Sequence, residues 1–169
     1  MRILPCVLFG LAWILCGCEQ AQWVKVQPAD GRFSILMPGQ PPEHRNLAQL
    51  PLGPVRVSDY TLTTNTITYS VAYTDYPAAV MKMTEDQILD SGLQTISARY
   101  PMAKKSQNII IWQRHPARQF VTDDPMTGYV LAGYSCLVSN RLYIVQLIYP
   151  ATNSPSSESN RFFNSFQLR

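Results

Sequence analysis

Apolar and polar residues alternate along most of this chain, and that alternation predicts strands before anything else. Trp23, Val24 and Val26 mark a first strand, Asp30-Gly31 a turn, and residues 33–37 a second strand that pairs with the first as a hairpin. Pro38-Gly39-Gln40-Pro41-Pro42 stops it, because proline donates nothing to a sheet ladder. Residues 43–54 show no alternation and read as an irregular surface loop. Residues 55–63 and 66–73 then form a hairpin bent at Thr64-Asn65, with Ile67, Tyr69, Val71 and Tyr73 on its buried face.

The period changes at Thr84-Glu85-Asp86-Gln87, a capping box that opens a helix. Ile88, Leu89, Leu93 and Ile96 fall on one side of it, an apolar stripe that needs a sheet to cover it, and the helix ends before Pro101. Ile109-Ile110-Ile111-Trp112 is a continuous apolar run, the pattern of a strand covered on both faces. A strand over 117–122 follows, turned from its predecessor at His115-Pro116. Residues 129–138 and 141–149 are two long strands joined at Ser139-Asn140. Last, Ser154 caps a helix with Pro155 in its first position, and Phe162, Phe163 and Phe166 give that helix an apolar stripe. Strands, helix, strands, helix is the order of an α+β fold: an antiparallel β-sheet with a central amphipathic helix and a C-terminal helix packed on it.

The front of the chain has another purpose. Arg2 precedes an apolar run over 3–15, which as a helix is about 20 Å long at 1.5 Å per residue, short of the roughly 30 Å bilayer core. Pro5 and Gly10 weaken it further as a span, so the segment reads as a secretory signal. Leu15-Cys16-Gly17-Cys18 directly after that run resembles the lipobox of bacterial lipoproteins. The resemblance implies cleavage before Cys18, a diacylglycerol on its thiol and acylation of the new N-terminus. Two or more chains anchor stably where a single one binds only marginally. Residues 1–17 are then the signal peptide, 18–22 the lipidated N-terminus and spacer, and 23–169 one folded domain. Glu19, rather than Asp, follows the Cys, which by the same resemblance implies sorting to the outer membrane in a Gram-negative envelope.

Several phrases of the remaining chain are similar to the Mog1p/PsbP-like proteins, including envelope lipoproteins of the DcrB type. They are Gly31-Arg32-Phe33-Ser34 with Met37-Pro38-Gly39, Tyr69-Ser70-Val71-Ala72-Tyr73, His115-Pro116-Ala117-Arg118, Arg141-Leu142-Tyr143, and Arg161-Phe162-Phe163-Asn164-Ser165-Phe166. The resemblance implies the same α+β fold and leaves the activity open, since a fold does not carry a function with it.

Composition and charge narrow the partners. With 46% hydrophobic and 15% charged residues this is a globular chain, and a net charge of +3, about +2 once Arg2 is removed, gives no reason to expect nucleic acid. Cys6 and Cys16 leave with the signal and Cys18 takes the lipid, so Cys136 is the one thiol of the mature domain and must be shielded in an oxidising compartment. His44 and His115 are the whole histidine complement, and no Gly-x-Ser-x-Gly elbow exists to present a serine. His115 beside Asp123 or Asp124 is the candidate base of a hydrolase, and a turn residue is the simpler account. Two distant histidines do not make a metal site, and no phosphate-binding glycine loop occurs, so neither metal nor cofactor is expected. The tyrosines at strand spacing could line an apolar groove between helix and sheet, or simply form the core. Lys104, Lys105, Arg114 and Arg118 read as a basic strand edge.

The reading is therefore a membrane-anchored envelope lipoprotein acting as a non-catalytic binding or assembly module. Its partners are membrane lipid through Cys18 and an envelope protein. A carrier or sensor of a small apolar ligand, and a hydrolase using His115, are the rivals.

Overall fold

A computed structural model describes residues 22–50, 53–98 and 103–169. Within them lie β1 (Val24–Val26), β2 (Phe33–Met37), β3 (Glu43–Leu50), β4 (Gly53–Thr63) and β5 (Thr68–Asp75). Then come α1 (Glu85–Ala98), β6 (Lys104–Trp112), β7 (His115–Asp124), β8 (Tyr129–Val138), β9 (Arg141–Pro150), α2 (Ser156–Ser165) and β10 (Gln167–Leu168). Seven strands form one antiparallel sheet in the order β3-β4-β5-β9-β8-β7-β6, and β1, β2 and β10 form a smaller one with β2 in the middle. The expected signal peptide, Cys18 and all of the expected spacer but Gln22 lie outside the described residues.

The expected α+β fold with a central helix is overturned: the described chain is mostly antiparallel sheet, with two helices on its outside. The large sheet has two faces to cover. One carries Tyr69, Val71 and Tyr73 of β5 with Tyr143, Val145 and Leu147 of β9, and the small sheet and α2 close over it with Phe33, Ile35, Phe162 and Phe166. The opposite face carries Leu131, Leu137, Leu142 and Phe120, against which α1 lays Ile88, Leu89 and Leu93. Most of the covering on the first face is strand, which is why a helix is not central. Ile96 falls in α1, but its side chain is outside the described set.

Two further expectations fail, both at edges of the sheet. Residues 43–50 form a strand, paired with β4 from Glu43↔Tyr60 to Leu50↔Gly53. This edge strand buries little on either face, so no alternation marks it; Leu47 is 72% exposed. At the other edge β6 is not covered on both faces, because Ile109 and Ile111 are 76% and 73% exposed while Ile110 and Trp112 turn toward α2's side. The bend before β7 lies at Gln113-Arg114, flanked by the Trp112↔His115 pair, and His115-Pro116 belong to the strand. Both bend residues have positive φ, 52° and 67°, as in a type I′ hairpin whose twist matches that of the strands. Gln113 is held there by donating its side-chain amide to the Phe166 carbonyl at 3.1 Å.

Other local readings hold. Thr84 and Gln87 make the capping box: Gln87 N–H donates to Thr84 Oγ1 at 3.2 Å, and Thr84 N–H donates to Gln87 Oε1 at 2.9 Å. The β4–β5 and β8–β9 hairpins lie where expected. Helix α2, in contrast, starts at Ser156 with Pro155 before it and without a side-chain cap from Ser154. Gly133 in β8 is required by close approach, since a Cβ there would stand 2.5 Å from the Val145 carbonyl oxygen and 2.8 Å from the Phe120 ring.

Leu93 is buried where α1 meets Phe120 and Leu131. Leu93→Ala is expected to cost about 2–5 kcal/mol, the range for emptying an enclosed leucine site, read as a lowered urea midpoint. A loss under about 0.5 kcal/mol, typical of a surface position, would overturn this packing of α1.

Candidate functional site

Two buried arginines organise the titratable residues. Arg118, expected on a basic strand edge, is instead 1% exposed beneath α1. Its Nε donates to Asp90 Oδ1 at 3.0 Å and its Nη2 to Asp86 Oδ1 at 2.6 Å, both on α1. Burial opposes the charge, but the two carboxylates outweigh it and hold the guanidinium's pKa above its ordinary value. Gln107 of β6 adds a 3.0 Å bond to Asp90. The arrangement clamps the helix to the sheet.

Arg141 does the same at the far end of β9. Its Nε donates to Asp75 Oδ1 at 2.6 Å, Nη2 reaches the other carboxylate oxygen, and Nη1 donates to the Asp30 carbonyl in the β1–β2 turn. Its guanidinium carbon stands 4.4 Å from the centroid of the Tyr73 ring. Tyr143 OH donates to the Gly31 carbonyl at 3.0 Å, so the turn of the small sheet is held by two residues of one strand.

A third group has an open mouth. A cleft of about 530 Å³ lies between the residues ahead of β1, the β4–β5 turn and the first turns of α2. Trp23 stands edge-on to Tyr69, ring centroids 5.7 Å apart, and Arg161 of α2 lies over the Trp23 ring at 4.6 Å. The turn is rigid: Thr64 N–H donates to the Ile67 carbonyl at 2.9 Å, and Ile67 N–H donates back to Thr64 Oγ1 at 3.2 Å. Asn65 and Thr66 are thereby presented to solvent at the rim. Glu158 lines the other side, its pKa lowered first by the hydroxyl of Ser157, which donates at 2.7 Å, and then by its own backbone N–H. Burial, with Glu158's charge adding to it, pushes the Tyr69 hydroxyl up to about 12. The cleft thus offers an aromatic floor, one cation, one anion and several neutral hydrogen-bonding groups, which suits holding a polar ligand.

The residues marked for chemistry do not come together. His44 is exposed on β3 and pairs with Asp59 in the ladder, while His115 starts β7, the strand next to the opposite edge. Among the described residues neither histidine is hydrogen-bonded to a hydroxyl, thiol or carboxylate. Asp124 is occupied in its own turn, accepting from Met126 N–H at 3.0 Å and Thr127 Oγ1 at 2.9 Å. Among the described residues no three of His, Cys, Asp and Glu gather as metal ligands, and no helix is long and apolar enough to cross a membrane. Cys136 is fully buried, and burial pushes its thiol up to about 12, so it holds little thiolate at neutral pH. Tyr60, Tyr69, Tyr73 and Tyr143 are buried core residues. A shallower hollow of about 230 Å³ beside Leu131, Ile148 and Tyr129 is below the usual size of a small-molecule site.

No protein-family model matches the chain, and no curated protein does. Among solved structures, a protein of unknown function, PA94 from Pseudomonas aeruginosa, is similar at a TM-score of 0.45 with 13% identity, over 81% of this chain and 89% of that one.

The pairing of Asp75 with Arg141 holds the carboxyl's pKa below its ordinary value. The stabilisation is therefore in full force above the unfolded carboxylate's pKa of about 3.9 and is lost as the pH falls through the lower, folded value. Asp75→Asn is expected to be less stable than the parent at neutral pH and to lose less stability on acidification. Urea midpoints between about pH 2 and 7 test this, and parallel acid limbs would remove Asp75 from the account.

Proposed function

We propose that this chain is a membrane-anchored envelope lipoprotein whose folded domain is a non-catalytic binding or assembly module, with the Trp23–Arg161 cleft as its ligand-facing site. The observation that carries the reading is the Leu15-Cys16-Gly17-Cys18 string followed at once by the cleft's own Trp23. Four residues separate Cys18 from Trp23, five peptide steps with a reach of at most about 18 Å for an extended chain. A lipid on Cys18 would hold the cleft close to the headgroups. The likeness to DcrB-type lipoproteins supports the same reading through its sequence phrases. Support for the non-catalytic part comes from the separation of His44, His115 and Asp124, each with a structural place of its own. The cleft combines neutral hydrogen-bonding groups with one charge of each sign, so it suits a polar ligand better than the small apolar one of the rival reading.

Replacing Cys18 by Ser is expected to abolish incorporation of radiolabelled palmitate and to leave the precursor unprocessed. An unmodified Cys18 in mass spectra of the membrane-isolated protein would overturn the anchor. The catalytic rival is tested by screening the purified protein on ester, peptide and glycan substrates beside His115→Ala. The expected result is no turnover that depends on His115. A turnover lost by about 100-fold or more in a folded His115→Ala protein would overturn the non-catalytic reading.

A further inference from the structure

The two edges of the large sheet are built differently. Edge strands expose unpaired backbone N–H and C=O groups, and natural sheets protect them with charge, proline or a cover. Strand β3 follows that rule with Glu43 and Arg45 inside the strand. Strand β6 confines its charge to its first two residues, Lys104 and Lys105, and the stretch beyond them, residues 106–113, holds no charged side chain and no proline. In the middle of this stretch Ile109 and Ile111 point to the α1 side of the sheet and stand three-quarters exposed. An uncharged, isoleucine-bearing open edge is a template for another strand.

The composition of β6 selects the partner. Two copies of one strand pairing antiparallel about a two-fold axis must place the axis through a residue, because paired side chains share a face. An axis at Asn108 sets Ile109 against Gln107 and Ile111 against Lys105, leaving apolar groups opposite polar ones. An axis at Ile110 sets Ile109 of one copy against Ile111 of the other, twice, with Ile110 against Ile110. That register joins both exposed isoleucines of each copy in one cross-strand cluster, places no like charges opposite each other, and leaves Lys105 outside the paired stretch. We propose that the chain self-associates through β6, two copies pairing antiparallel about Ile110 so that the large sheet runs continuously through both. A contact of one edge strand per copy is small beside the roughly 800 Å² per partner of a stable interface, so the dimer is weak in dilute solution and populated where copies are crowded together. This inference does not depend on the cleft or on the lipid anchor.

Disulfide trapping in the full-length chain tests it. Directly opposed residues have Cα atoms about 4.5 or 5.5 Å apart, inside the range a disulfide spans. With Cys6, Cys16 and Cys18 replaced by Ser in every chain used, Ile110→Cys is therefore expected to give a covalent dimer on mild oxidation at high protein concentration that the parent chain does not give. Ile109→Cys alone should not link to itself, since its copy lies diagonally about 8 Å away, but mixed with Ile111→Cys it should. Adding Ile109→Lys and Ile111→Lys to Ile110→Cys should reduce the trapped dimer at least ten-fold. Both positions are exposed, so the fold should survive, and an unchanged near-UV circular dichroism spectrum checks that. Absence of a disulfide-linked dimer of the Ile110→Cys chain, equal trapping with the lysines present, or Ile109→Cys linking to itself as efficiently as Ile110→Cys would each overturn the proposal.

Discussion

The stack of Phe33 on Phe166 is the contact on which the architecture depends. Their ring centroids lie 5.7 Å apart and both side chains are fully buried. Phe33 meets Tyr60, Tyr73 and Tyr143 edge-on, and Phe166 lies flat against Trp112 at 4.8 Å. One ring pair thereby links the small sheet, the last turn of α2, the centre of the large sheet and its β6 edge. Aromatic pairs of this kind contribute about 0.5–1.5 kcal/mol each beyond the area they bury. Taking either phenylalanine away would loosen three layers at once, and the Leu36 N–H to Ser165 Oγ bond of 2.8 Å beside the stack would lose its setting.

Charge does a different task from the apolar core. Arg118 and Arg141 stand on different strands, and each directs its guanidinium to backbone or carboxylate groups, Arg118 to α1 and Arg141 to Asp75 and the β1–β2 turn. Buried ion pairs add little net stability when weighed against apolar replacements. What these two supply is position, because a planar guanidinium with fixed donors accepts its partners in few geometries. Helix α1 sits where Asp86 and Asp90 meet Arg118 at once.

How much of this was readable in advance follows from where each residue's partners lie. The β5 face, the Thr84–Gln87 box and the β8–β9 hairpin depend on near neighbours in the chain, and local pattern found them. Strand β3 was missed because an edge strand in solvent needs no apolar periodicity, only hydrogen-bond partners. Ile109 and Ile111 misled for the converse reason: an apolar run does not say whether anything covers it. Arg118 looked like a surface cation since its partners lie about thirty residues earlier on a helix. The cleft leaves little local trace in the sequence, being assembled from the chain ahead of β1, one turn and α2; Trp23 and the Phe stripe of α2 are its local signs. In the proposed reading Cys18, in contrast, belongs to a signal that processing enzymes read as a linear string, so sequence is the right place to look for it.

The pairing of β10 with β2 has a consequence for when the protein becomes itself. Leu168 lies opposite Phe33, and Arg169 N–H donates to the Arg32 carbonyl at 2.9 Å. The small sheet cannot close, and Phe33 cannot find Phe166, until nearly all the described chain has been synthesised. Contacts of such long sequence separation also form slowly. A nascent chain is therefore kept from locking into its native shape during elongation, and under the proposed envelope location that delay suits passage, still unfolded, through a narrow export channel.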